Sequence, residues 1–208
     1  MPTVLCFGDS NTWGYDPAEP GRRYPRDVRW PGRLARALGD GWWVIEEGLN
    51  GRTTTLDNPT SPGRNGLTYL LPCLHSHAPL DVVVIFLGTN DLADRYSMPP
   101  CDVASAAGWL VEVARTSSAG PGETAPQVLL VCPPPFSPTD PEGSYAGSPA
   151  KSVTLGRWFA ETAALVGCPL LDLAGIARYS ELDGIHLDEA GHAAVAAAVE
   201  ERLRALVA

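Results

Sequence analysis

Thr3-Val4-Leu5-Cys6-Phe7-Gly8-Asp9-Ser10-Asn11-Thr12 decides how this chain is read. Residues 3–7 are a short apolar run rich in β formers, which predicts a buried strand. Gly8 breaks the run, and Ser10 follows beyond its carboxyl end. In an open α/β sheet that is the edge where ligands bind. A serine placed there can be a nucleophile if a base lies within reach. Val82-Val83-Val84-Ile85-Phe86-Leu87 is a second such run, followed by Gly88-Thr89-Asn90-Asp91. Far along the chain, Asp183-Gly184-Ile185-His186 offers a carboxylate and an imidazole in one turn. Serine, asparagine and Asp-x-x-His, each after a strand or strand-like run, describe a hydrolytic site built along one sheet edge.

The remaining segments extend the alternation. Trp30 to Leu38 reads as a helix, with Trp30, Leu34 and Leu38 at four-residue spacing. Residues 42–45, 128–132 and 170–172 read as strands; Pro133-Pro134-Pro135, which cannot donate to a ladder, ends the middle one. Residues 67–74, 103–115 and 151–166 carry helical patterns. Residues 189–206 form an Ala-rich helix with Val195, Val199, Leu203 and Leu206 on one face, and Asp188 is its N-cap. Strands alternating with helices imply a parallel sheet covered on both faces. Right-handed crossovers make it a three-layer α/β/α sandwich. No internal repeat or long linker divides the 208 residues, so one domain over 1–208 is expected.

Four blocks then resemble the SGNH (GDSL-type) hydrolases, in order along the chain. Gly8-Asp9-Ser10 resembles the nucleophile block, and Glu47-Gly48-Leu49-Asn50-Gly51-Arg52-Thr53-Thr54 the glycine block. Gly88-Thr89-Asn90-Asp91 resembles the asparagine block, and Asp183-Gly184-Ile185-His186 the acid and histidine block. The local wording, including Val28-Arg29-Trp30 and Ile45-Glu46-Glu47-Gly48-Leu49, is most similar to the aryl esterase/acyltransferase branch. The resemblance implies a five-stranded flavodoxin-like order with Ser10 at the switch point. It also implies an oxyanion hole of the Ser10 N–H, the Gly51 N–H and the Asn90 side-chain amide. No cofactor is implied, and the branch's enclosed sites lead us to expect a homo-oligomer.

Each residue has a plainer reading. A serine after a strand is commonly a helix N-cap, and Asp183-Gly184 alone signals a turn. The co-occurrence of the blocks favours Ser10 as nucleophile, His186 as base and Asp183 as the group that orients it. Asp9 and Asp91 read as local turn stabilisers. Asn11, Trp13, Leu92 and Ile185 are expected in the substrate pocket by adjacency. His75 and His77 sit near a helix end with i, i+2 spacing, and without a further ligand cluster no metal is expected. His192 is expected to be partly exposed. Ser144 lies in Gly143-Ser144-Tyr145-Ala146-Gly147, which lacks a preceding strand and the spacing of a Gly-x-Ser-x-Gly elbow.

Composition narrows the partners. A net charge of −9 argues against nucleic acid. Arg22, Arg23, Arg26 and Arg29 are a candidate anion cluster, with a solvated loop the favoured reading. No stretch has the length of a membrane span and no signal peptide is visible. Five scattered cysteines suit reduced thiols, hence a cytoplasmic protein. Loops 15–29 and 133–149 are candidates for site or subunit contacts, and loop 117–127 for neither. The expected function is a serine esterase acting on short-chain acyl (acetyl-like) or aryl esters, with water or an alcohol as acceptor. The alternatives are a lipase/lysophospholipase or a carbohydrate acetylesterase. A flavodoxin-like small-ligand binding module is the non-enzyme alternative, although both Gly-rich phosphate motifs are missing.

Overall fold

The computed structural model describes residues 1–207. β1 (Thr3–Gly8) runs into a one-turn helix, α1 (Ser10–Trp13), and a long loop leads to α2 (Trp30–Leu38) and β2 (Trp43–Gly48). Then follow α3 (Gly66–His77), β3 (Val82–Phe86), α4 (Pro100–Arg115) and β4 (Gln127–Cys132). α5 (Pro149–Val166), β5 (Leu170–Asp172) and α6 (Glu189–Leu206) complete the chain. The sheet has five parallel strands in the order β2-β1-β3-β4-β5. This is the expected three-layer sandwich and flavodoxin-like order.

The sheet's side-chain alternation sorts the core into two layers. Leu5, Phe7, Val83 and Ile85 face the layer filled by α3, α4 and α5. Val4, Cys6, Val82 and Val84 face the layer filled by α2 and α6, where Trp30 is wholly buried. The reversal of strand order across the sheet, first outward to β2 and then back past β1 to β3, explains the split. Right-handed crossovers on opposite sides of β1 place their helices on opposite faces.

His192 departs from expectation. It lies on the inner face of α6 and is wholly buried, its Nδ1 accepting from the Trp30 N–H at 3.3 Å. Tyr24 packs edge-on against its ring. Burial, reinforced by Arg33 and Arg29, pushes its pKa down to about 3, so it is a neutral core residue. Arg22, Arg23 and Arg26 are exposed, as a solvated loop requires, while Arg29 is buried, and the run is tied down by ion pairs within the chain. Arg29 and Arg26 bond Glu46 of β2 at 2.7 and 2.8 Å, Arg23 approaches it at 3.9 Å, and Arg22 pairs with Asp16 and Glu19. One carboxylate on the edge strand thus gathers most of loop 15–29. The cysteines are unpaired, four of them buried, and among the described residues no helix is long and apolar enough to cross a membrane.

Two glycines let α1 sit directly on the strand ends. A Cβ at Gly48 would stand 2.1 Å from the Trp13 backbone nitrogen, and one at Gly8 would meet the Thr12 side chain at 2.0 Å. The Gly48 neighbour is backbone and cannot swing aside. Gly48→Ala is expected to destabilise the protein by about 1–3 kcal/mol, as overpacking does. Chemical denaturation should register this as a lower midpoint with an unchanged slope.

Candidate active site

Ser10, Gly51, Asn90 and His186 come from the carboxyl-end side of the sheet, where loops leave β1, β2 and β3 and the chain returns after β5. The Ser10 Oγ lies 3.0 Å from His186 Nε2, and His186 Nδ1 lies 2.7 Å from Asp183 Oδ2. With the imidazole proton on Nδ1, that N–H donates to Asp183 and Nε2 can accept from the serine hydroxyl. Asp183 Oδ1 accepts from the backbone N–H groups of Ile185 and His186, both at 3.0 Å. Burial works to raise the Asp183 carboxyl. The bond from the His186 side chain, together with the backbone bonds, outweighs it and holds the pKa below the ordinary value. Tyr15 stacks on His186 with ring centroids 4.2 Å apart.

Asp9, not Ser10, is the N-cap of α1: its carboxylate accepts from the Asn11 N–H at 2.9 Å. This leaves the Ser10 hydroxyl free to face the imidazole. Asn11 is buried, and its side chain works as a clasp rather than a pocket wall. Its Nδ2 donates to the Ile185 carbonyl at 3.2 Å and its Oδ1 accepts from the Leu187 N–H at 2.9 Å. Both bonds embrace His186. Leu92 is also displaced from its expected place, being wholly buried in the core beside α4. A short 3-10 turn over Asn90–Leu92 points it inward. Ile185 is half-buried against that core, and Trp13 is half-exposed beneath the Arg23 guanidinium.

Gly51 has φ +74°, a left-handed conformation that glycine adopts without strain. Its N–H has no acceptor among the described residues. The Asn90 amide is more engaged. Nδ2 donates to the Arg52 carbonyl at 3.0 Å and reaches Asp9 Oδ2 at 3.3 Å, while Oδ1 accepts from the Tyr145 hydroxyl at 2.8 Å. Asp91 is wholly buried and accepts from the Thr54 N–H at 2.9 Å and from its hydroxyl. Both aspartates therefore join separate blocks, Asp9 to Asn90 and Asp91 to Thr54, which is more than a local turn role. Burial pushes each carboxyl up to about 6, against the hydrogen bonds that pull the other way.

A cleft of about 110 Å³ opens beside these groups, lined by Gly51, Asn58, Asn90, Ala93, Arg95, Tyr96 and Tyr145. Sequence reasoning missed Tyr15 and Tyr145, which lie in the two loops singled out as candidates. It also missed His77's neighbours. Donor atoms of Glu47, Cys73 and His77 lie within 4.8 Å of one another. His77 Nε2 and Glu47 are already bonded at 2.8 Å, and the charge of buried Arg52 acts on both Glu47 and Cys73. Burial, then Glu47, push the Cys73 thiol up to about 12.

A serine, an imidazole and a carboxylate in one hydrogen-bonded line at the carboxyl-end edge of a parallel sheet are the arrangement a serine hydrolase of the α/β/α type requires. The chain belongs to the GDSL-like lipase/acylhydrolase family, which its residues 6–194 match. Its structure is similar to that of an aryl esterase from M. smegmatis, at 41% identity and a TM-score of 0.94, covering 99% of this chain and 100% of that one. A carbohydrate acetylesterase from Sinorhizobium meliloti is similar at 40% identity and a TM-score of 0.94, with 99% and 100% coverage. A carbohydrate acetylesterase family member from the same organism matches at 38% identity and a TM-score of 0.93, with 100% and 99% coverage. No curated protein sequence matches the chain.

The buried Asp91 gives this site a signature in stability. Its pKa rises from the ordinary 3.8 to about 6 on folding, so the folded state holds the proton more tightly. Its contribution is therefore full below about pH 4 and lost as pH rises through about 6. Asp91→Asn removes that titration. Between pH 4 and pH 7 the variant should lose less stability than the parent, by on the order of 2 kcal/mol. Denaturant melts at both pH values measure the difference, and equal slopes would show that Asp91 is ionised throughout.

Proposed function

We propose that Ser10 is the nucleophile of a carboxylic ester hydrolase. The observation that carries this is the continuous hydrogen-bonded line from Ser10 through His186 to Asp183. His186 Nε2 takes the hydroxyl proton as Oγ attacks the ester carbonyl, and Asp183 holds the imidazolium that results. The Ser10 and Gly51 N–H groups and the Asn90 amide stabilise the oxyanion. Collapse expels the alcohol or phenol, which receives the proton from His186, and leaves an acyl-serine. Water, or a bound alcohol, then attacks the acyl-enzyme with His186 again as base.

The small cleft supports a short acyl group. At about 110 Å³ it is far below the roughly 300–1,000 Å³ of sites that enclose drug-sized ligands. Its Asn58, Arg95 and Tyr96 lining favours, as a second reading, an acetylated carbohydrate over a long-chain lipid. We place the enzyme in the cytoplasm, a reading supported by the unpaired thiols, and expect a homo-oligomer, a reading supported by the exposed Trp43 and Leu182. Light scattering on the purified protein tests the latter.

Intact-mass analysis after a fluorophosphonate should show a single adduct that is lost in Ser10→Ala while the fold is kept. Persistence of the adduct would put the nucleophile elsewhere. With a fixed aryl leaving group, acetyl to butyryl esters should be turned over faster than octanoyl and longer ones. In water containing a primary alcohol, a short vinyl ester should give both acid and new ester. Preference for long chains would reject the short pocket, and acid alone at every alcohol concentration would limit the protein to hydrolysis.

A further inference from the structure

We infer that Tyr145 is a positioning residue that sets the Asn90 amide for the oxyanion; this rests on the reading of Asn90 as an oxyanion donor. A primary amide has two faces that differ only in which atom is the donor. For Asn90 to donate to a developing oxyanion, its oxygen must be held away from the reacting carbonyl. The Tyr145 hydroxyl, 2.8 Å from Oδ1, supplies the donor that holds it there. A flipped amide would instead turn its oxygen toward the Arg52 carbonyl and the Asp9 carboxylate, two acceptors, and its NH₂ toward Tyr145. One Nδ2 proton goes to the Arg52 carbonyl at 3.0 Å. The other makes only the 3.3 Å approach to Asp9, and it is this one that an oxyanion would take.

The phenol suits this task. Burial and the nearby Asp9 push its pKa up, so it stays a neutral donor at working pH. Its ring packs edge-on against Phe136, with centroids 5.8 Å apart. The segment that carries it is fastened to the turn after Asn90. The Asp94 N–H donates to the Ser144 carbonyl at 2.8 Å, and the Asp94 carboxylate accepts from the Gly147 N–H and the Ser148 hydroxyl, both at 2.9 Å. Arg95 adds a bond to Ser144 Oγ at 3.1 Å. Tyr145 and Asn90 are thus mounted on one unit, and the hydroxyl cannot drift from the amide without breaking those bonds. A hydroxyl donating to Oδ1 also polarises the amide and strengthens Nδ2 as a donor.

Tyr145→Phe keeps the ring and removes the one bond. It should lower kcat about 10-fold with KM changed by less than about 2-fold, the pattern of an interaction felt in the transition state. Affinity for a boronic acid that adds to Ser10 should fall by a similar factor. Asn90→Ala should cost about 10²–10³-fold in kcat. If Tyr145 acts through Asn90, Tyr145→Phe added to Asn90→Ala should cost nothing more. Full additivity in the double variant, or an unchanged kcat in Tyr145→Phe, would overturn the proposal while leaving Asn90 in place. Loss of the fold would show in circular dichroism, and in that case the boronate affinity of Tyr145→His, which keeps a donor on a planar ring, decides: retention above the Asn90→Ala level supports the proposal, and a drop to that level overturns it. An unchanged kcat in Asn90→Ala would be a different failure, that of the oxyanion reading itself.

Discussion

Parallel pairing in strict register brings Gly8 of β1 level with Gly48 of β2 on one side and Phe86 of β3 on the other. Because these strands end together, their loops leave the sheet side by side. Because the chain reverses direction of travel across the sheet at β1, the connecting helices lie on opposite faces and a crevice opens between their starts. Ser10, Gly51 and Asn90 all hang from that edge. Close approach is possible only where side chains are missing, which is why the two glycines meet the backbone or side chain of α1 at distances no Cβ could occupy.

Holding the pieces at that edge falls to buried polar groups. Asn11 clasps the segment around His186 from 174 and 176 residues away, doing with one amide what a strand pair does with two backbones. Asp91 ties the loop after β2 to the loop after β3, and Asp9 caps α1 while touching Asn90. These carboxylates are costly to bury, as their raised pKa values show. An apolar residue in either place would pack more cheaply but could not satisfy the N–H groups that now donate to them.

Much of this was legible. The strand and helix order follows from apolar runs and periodicity, and element boundaries fell within a few residues because Asp188 and the Pro133–Pro135 run mark local chemistry. Ser10, Asp183 and His186 could be paired because four blocks occur together in order along the chain. What failed did so because adjacency in sequence shows neither which way a side chain turns nor what distant segment meets it. Leu92 and Asn11 neighbour the reactive residues and yet face the interior, since a 3-10 turn and a capped helix rotate successive side chains by roughly 100–120°. His192 sits on α6 at a position whose burial depends on Trp30 and Tyr24 arriving from the other end of the chain. Likewise Arg23, Arg26 and Arg29 read as a charge run until Glu46 supplies their common partner.

The two long loops divide a task that the sheet cannot perform. Gly14, in a left-handed conformation, stops α1 after one turn, so the chain turns back and lays Tyr15 on the imidazole. On the other side, Asp94 fastens the 144–148 segment so that Tyr145 reaches Asn90. One loop thus bears on His186 and the other on Asn90. Neither loop has regular secondary structure, and both are held largely by bonds that involve side chains, which depend on individual residues more than a ladder does. Substrate preference can therefore change by substitution in these loops while the sheet edge, and the chemistry it positions, stays as it is.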